Sequence, residues 1–207
     1  MSKYIGPDCR LCRREGAKLF RKGDKCFSEK CPIVNRPTPP GDHGAGKKKM
    51  SDYALQLREK QKAKRIYGIY EKQFRLYYEK AEVLRGATGE NMLILIERRL
   101  DNVVYRMGLA VSRSQARQMV NHGLFTVNGN NVTIPSYLVN VNDVIAVKET
   151  KKDNLPFQSV KSGTKKLLPK WLEFNNTLLV GKVIALPERA DIDAVISERM
   201  IVELYSK

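Results

Sequence analysis

The sequence predicts an α+β fold: a mostly helical N-terminal part, then two helices packed on a small, mainly antiparallel sheet. Three observations carry this. Apolar residues recur at helical spacing between Ser51 and His122, the period changes to two beyond Phe125, and all four cysteines fall within the first 31 residues as two close pairs. The 207 residues suffice for one large or two small domains, each with a core of its own.

Charge narrows the function. Lysine and arginine number 38 against 22 aspartates and glutamates, a formal net charge of +16. Residues 1–75 hold 20 of those cations and only 8 of the carboxylates, so the N-terminal third is an electrostatic arm. Such a surplus favours a polyanion, with nucleic acid ahead of an anionic membrane surface. The longest apolar run, Met92 to Ile96, falls far short of the roughly 20 residues of a membrane span. No apolar segment precedes the cysteines, so neither a signal peptide nor a transit peptide is expected, and a reducing cytoplasm is.

The first element is the quartet itself. Cys9 and Cys12 are separated by two residues, Cys26 and Cys31 by four, with thirteen between the pairs. Each pair can act as a two-pronged clamp on a tetrahedral ion, and the intervening loop returns the second clamp to the first; one structural zinc is the reading that this spacing suits best. Two disulfides, an iron–sulfur cluster and four unligated thiols are the alternatives. A catalytic zinc does not fit, because four thiolates leave no open coordination position.

Arg36 to Lys49 is rich in proline, glycine and lysine without apolar periodicity, which predicts an extended basic loop. Within it, Gly41 to Lys48 approaches the phosphate-binding pattern of nucleotide hydrolases, but Lys48 stands where a magnesium-binding hydroxyl is needed, and prolines replace the preceding strand. With only His43 and His122 in the chain, no local grouping points to acid–base or nucleophilic catalysis.

A helix is predicted from Ser51 to about Tyr67, with Arg58, Lys62 and Arg65 on one face and Tyr53, Leu57 and Tyr67 opposite, although Lys60 and Lys64 intrude on the apolar side. So polar a helix is either solvated or covered by something other than protein. Tyr70, Phe74, Tyr77, Tyr78, Ala81 and Leu84 define a core-facing helix that ends near Gly86. A third helical region begins after Thr88-Gly89 and carries Ile96, Leu100, Val103, Val104 and Met107 to a stop at Gly108. Ser112 and Gln115 form a capping-box pattern for the next helix, which His122-Gly123 closes. Phe125 to Val127, Asn128-Gly129, then Val132 to Ile134 reads as a hairpin with a type I′ turn. Further strands are expected at Val144 to Val147, Trp171 to Phe174 and Val183 to Leu186, and a terminal helix over Asp191 to Tyr205.

Two polar rows stand out. Arg99, Asn102 and Arg106 share a line away from the Leu100, Val103, Val104 and Met107 stripe; Arg113, Arg117 and Asn121 share another, away from Ala116, Met119 and Val120. With the apolar faces packed on the sheet, both rows are expected to meet phosphates and sugar hydroxyls, arginine being suited to planar contacts.

Residues 98–136 resemble the S-four RNA-binding domain, and the chain as a whole resembles the bacterial small-subunit ribosomal protein S-four family. Tyr4-Ile5-Gly6-Pro7 with the quartet is similar to that family's zinc-bearing branch; Arg36 to Gly41, Ser51 to Lys62 and the ending Ile201 to Lys207 are family-like, while residues 148–190 match least. The same domain occurs in tyrosyl-tRNA synthetases and pseudouridine synthases, so an RNA-modifying or tRNA-related enzyme is the rival reading. Such enzymes need a separate catalytic domain, and only 60 residues follow Val147.

The resemblance implies a non-enzymatic, ribosome-bound cytoplasmic protein. It would be a primary binder of 16S ribosomal RNA that organises a junction of 5′-domain helices during assembly and supports accurate decoding. Implied neighbours are ribosomal protein S-five, other small-subunit proteins and messenger RNA near its entry channel, with no membrane and no small-molecule substrate. The implied architecture is discontinuous: a zinc-binding module and basic loop over 1–45, helices over 46–96 rejoined by 190–207, and the S-four domain inserted over 97–189. The expected RNA-facing set comprises Arg10, Arg13, Arg14, Lys22 and Arg36 around the quartet, and Lys47, Lys48 and Lys49 in the loop. It continues with Arg58, Lys62 and Arg65 on the first long helix, then Arg99, Arg106, Ser112, Arg113, Arg117, Gln118 and His122.

Overall fold

A computed structural model of the chain describes residues 4–44, 46, 49–161 and 168–207; Lys47 and Lys48 lie outside the described residues. The chain divides into two compact units, residues 1–92 with 194–207, and residues 93–193.

In the first unit, α1 (Asp8–Glu15) puts Cys9 and Cys12 one turn apart and is stopped by Gly16 in the left-handed region. A 3₁₀ turn at Gly23–Cys26 follows, and then α2 (Pro32–Asn35), whose N-cap is Cys31 and whose first position takes a proline that needs no donor. α3 (Asp52–Tyr67) starts where Ser51 Oγ accepts the Ala54 N–H at 3.3 Å and ends at left-handed Gly68. α4 (Glu71–Val83) buries Phe74, Tyr77, Tyr78 and Ala81 as the periodicity predicts, but leaves Tyr70 and Leu84 exposed at its ends.

The terminal helix is shorter than expected. Only α9 (Glu198–Tyr205) is helical, preceded by a 3₁₀ turn at Arg189–Asp191 whose ends are closed by reciprocal Glu188 and Asp191 bonds. Between them Ser197 N–H is tied to Glu59 at 3.1 Å, fixing the approach to α9 by a tertiary bond. α9 lies on α3 and α4: Tyr205 packs on Tyr78 with ring centroids 4.8 Å apart, and Gln56 bonds Glu203 at 3.1 Å. The polar helix α3 is therefore covered by protein. Its intruding lysines, Lys60 and Lys64, both bond Glu71, at 2.9 and 2.5 Å, and Tyr205 Oη donates to the same carboxylate at 2.8 Å.

The division between units falls inside α5 (Thr88–Glu97). The third helical region predicted as continuous is in fact broken. Arg99 turns extended, bridges Leu138 in antiparallel fashion, and becomes the N-cap of a separate α6 (Leu100–Arg106). α7 (Arg113–Asn121) opens with Ser112 Oγ accepting from Gln115 N–H at 3.3 Å, while the Gln115 side chain reaches Val111 N–H at 2.8 Å.

The five-stranded antiparallel sheet has the order β2-β1-β3-β5-β4, from β1 (Phe125–Val127), β2 (Asn130–Asn131), β3 (Val144–Val147), β4 (Leu172–Asn175) and β5 (Val180–Val183). Asn128 and Gly129 both take positive φ, as a type I′ turn requires. That tight turn pairs Val127 with Asn130, so the second hairpin strand falls on Asn130–Asn131 rather than on Val132 to Ile134. β5 likewise sits three residues earlier than expected, because Val183 turns into the core while Ile184 and Leu186 remain exposed. Leu100, Val103 and Val104 of α6, its C-cap Met107, and Ala116, Met119 and Val120 of α7 share one core with Phe125, Val127, Ile145, Val147 and Trp171. A further helix, α8 (Leu155–Lys161), closes it by setting Phe157 edge-on against Phe125 at 6.0 Å.

Candidate nucleic-acid interface

Two polar rows expected to face outward fall into different environments. The α6 row is internal: Arg99, Asn102 and Arg106 are all buried. The reason is a pair of carboxylates beside them. Glu97, with a side chain only 1% exposed, accepts from Arg106 at 2.9 and 3.0 Å and from Asn102 Nδ2 at 2.6 Å, while Arg106 also pairs with Asp193. Asp101 holds Arg99 by two parallel bonds of 2.7 and 3.0 Å. Arg99 and Arg106 are thus committed to buried protein carboxylates, which corrects their assignment to an outward line.

These groups support the second row. Asn102 Oδ1 accepts from Arg113 Nε at 2.8 Å, and the Arg113 guanidinium lies over the Tyr105 ring, 4.5 Å from its centroid. The second oxygen of Asp101 accepts from Arg117 Nη1 at 3.3 Å. Arg113 and Arg117 are half-buried, anchored at one edge, while Gln118 on the same helix and His122 at its C-cap are exposed and Ser112 is buried as the N-cap. Neither Glu97 nor Asp101 was among the residues expected from sequence, although carboxylates interleaved with Arg99 and Arg106 were the available signal.

In the first unit Arg10, Arg14, Lys22, Arg36 and Lys49 are exposed. The others are engaged. Arg13 bonds the carbonyls of Thr38 at 2.9 Å and Pro39 at 3.5 Å and so holds the proline-rich loop against α1. Arg58, at 3.3 Å, and Arg65 converge on Glu15, and Lys62 bonds Glu59 at 3.2 Å; these three were expected on an open face and are half-buried instead. Burial pushes the Glu15 carboxyl up, against the pull of Arg65, Arg58 and Arg14.

All four cysteines are free of disulfides and line one cavity with Asp8, Arg21, Lys22, Lys25, Pro32 and Ile33. Lys22 N–H donates to Cys26 Sγ at 3.3 Å and Leu19 N–H to the Cys12 sulfur. Burial and the other three sulfurs push the Cys12 thiol up, a repulsion that a bound dication would relieve. Among the described residues, however, no three cysteine, histidine or carboxylate groups stand at metal-holding spacing. The donor chemistry suits zinc, and the side chains are gathered without being closed into a ligand shell.

Comparison with known proteins decides the family. Residues 3–97 match the model of the ribosomal protein S4/S9 N-terminal domain, and residues 98–145 that of the S4 domain. Small ribosomal subunit protein uS4 of Caldicellulosiruptor saccharolyticus is 62% identical over 208 residues, that of Acetivibrio thermocellus 60% and that of Clostridioides difficile 58%, each covering 100% of both chains. The chain belongs to the uS4 family. This family is structural, not enzymatic, and the RNA-modifying reading falls with it. The stretch matching the S4 domain contains α6 and α7, which carry the two arginine rows with Arg99 at the cap of α6, and the sheet from β1 and β2 to the start of β3.

Proposed function

We propose that this uS4-family chain is a structural constituent of the small ribosomal subunit that binds 16S ribosomal RNA at a junction of 5′-domain helices. It organises that junction during assembly and supports accurate decoding. The observation that carries the reading is the α7 row, where Arg113 and Arg117 are each anchored from behind by a buried group and held, half-exposed, on the helix surface where phosphate would meet them. Guanidinium groups fixed in this way lose less side-chain freedom on meeting RNA, so more of each contact survives as affinity. The exposed cations Arg10, Arg14, Lys22, Arg36 and Lys49 supply a second, less anchored set, to which Lys47 and Lys48 add charge. No step makes or breaks a bond; binding neutralises phosphates and releases condensed counterions. Ribosomal protein S-five, other small-subunit proteins and messenger RNA near its entry channel are the neighbours this reading implies, in the cytoplasm. Hydroxyl-radical footprinting of the chain on 16S ribosomal RNA tests it: protection confined to a multi-helix junction supports it, and protection scattered over the molecule overturns it.

Zinc on Cys9, Cys12, Cys26 and Cys31 completes the proposal. Residues 1–45 offer few large apolar side chains to offset the entropy of ordering, and four sulfurs around one cavity supply the cross-link instead. Metal analysis should find one zinc per chain. Iron in its place would mean a cluster, and no metal would mean four plain thiols.

A further inference from the structure

Beside the quartet is an apolar feature that neither the core nor the arginine rows use. Phe20 and Phe27 stack on one another, with ring centroids 5.0 Å apart and planes 30° from parallel. Yet the pair lies on the surface: Phe20 is 37% and Phe27 72% exposed. Their chain neighbours do the opposite, since Leu19 and Cys26 are buried. The loop between them is bent around Cys26 Sγ by the Lys22 N–H, and Phe27 N–H is held by the Asp24 carbonyl at 3.0 Å. Phe20 takes a left-handed φ of 49°, a conformation that side chains bearing a Cβ rarely adopt. Two rings are thus brought together outside the core by a turn anchored within it.

The surroundings say what the rings would meet. Residues 18–30 carry five cations, Lys18, Arg21, Lys22, Lys25 and Lys30, against two carboxylates, Asp24 and Glu29. Arg21 is spent on Asp8 and the Arg65 carbonyl, but all four lysines are exposed. Exposed aromatic rings on a lysine-rich loop are the combination that binds single-stranded nucleic acid, with bases on the rings and phosphates on the ammonium groups.

We propose that the Phe20–Phe27 pair is a stacking platform for an unpaired nucleobase of the small-subunit ribosomal RNA. Phe27, the more open ring, offers its outer face to the base, and Phe20 backs it. The inference rests on the ribosomal RNA reading above and adds to it a single-stranded contact in the N-terminal unit.

The test uses the full chain and a 5′-domain transcript of 16S ribosomal RNA. Phe27→Leu should weaken binding about tenfold, whereas Phe27→Tyr should stay within about twofold of the original, because any aromatic face stacks. The salt dependence should be the same for all three, since no charge changes. Equal affinity of the leucine variant, or equal losses with leucine and tyrosine, overturns the platform while tight binding by the unaltered chain leaves the RNA reading intact. Failure of the unaltered chain to bind overturns both. Phe27→Trp gives a readout independent of affinity: Trp171, the chain's one tryptophan, is buried, so fluorescence from the new indole should be quenched when RNA is added. An unquenched indole in a bound complex, as with a protein partner on this patch, overturns the proposal.

Discussion

Arg99 and Asp101 face each other as a buried pair, two residues apart at the start of α6, joined by parallel bonds from Nε and Nη2 to the two carboxylate oxygens. Removing one member leaves the other charged and buried, which costs about 3–5 kcal/mol. Asp101→Ala should lower the free energy of unfolding by about that amount, read from the denaturant midpoint, whereas Asp101→Leu with Arg99→Met should recover much of the loss. If Asp101→Ala unfolds at the original midpoint, the pair is not an anchor.

The next row is expected to respond differently. From sequence, Arg113 and Arg117 read as surface residues whose removal moves stability by about 0.5 kcal/mol or less. The structure revises this for Arg113, whose Nε bonds Asn102 and whose guanidinium covers Tyr105. A charged hydrogen bond of that kind contributes about 1.5–3 kcal/mol, so Arg113→Ala should cost about that much, and Arg117→Ala, with a longer bond to an Asp101 already served by Arg99, less than 1 kcal/mol. Comparative urea denaturation of the two variants reads the difference; equal costs would contradict the geometry.

The sequence showed how far these rows could be read and where reading stops. Caps made α3 legible, since Ser51 and Gly68 act locally, and Asn128-Gly129 fixed the hairpin turn for the same reason. The break between α5 and α6 was not legible: the apolar stripe runs on through Arg98 and Arg99, and what interrupts it is a bridge to Leu138, distant in sequence. The α6 row misled because a helical wheel separates apolar from charged faces without saying whether the charged one meets water or buried carboxylates. Phe20 and Phe27 lacked a periodic signal altogether, since a turn, not a helix or a strand, brings them together.

Glu71 gives a pH dependence with a definite sign. Burial opposes its charge, but hydrogen bonds from Lys64, Lys60 and Tyr205 hold the carboxyl down at about 2, below its ordinary 4.5. A carboxylate depressed in the folded state stabilises fully above the unfolded value, and that contribution is lost as pH falls from about 4.5 towards 2. The melting temperature of Glu71→Gln should therefore lie below that of the unaltered chain at pH 7, and the gap should close across this acid range. A gap independent of pH would mean that Glu71 acts through packing alone.

Cationic positioning of ribosomal RNA is the central claim, and salt tests it most directly. If six to ten phosphates are neutralised, the logarithm of affinity for a 5′-domain 16S transcript should fall against the logarithm of salt concentration with a slope on the order of −5 to −9. Arg113→Ala with Arg117→Ala should make that slope shallower by about 1 to 2, one phosphate contact or so for each guanidinium removed. A flat response to salt, or a double variant that binds with the original affinity and the original slope, would contradict the account.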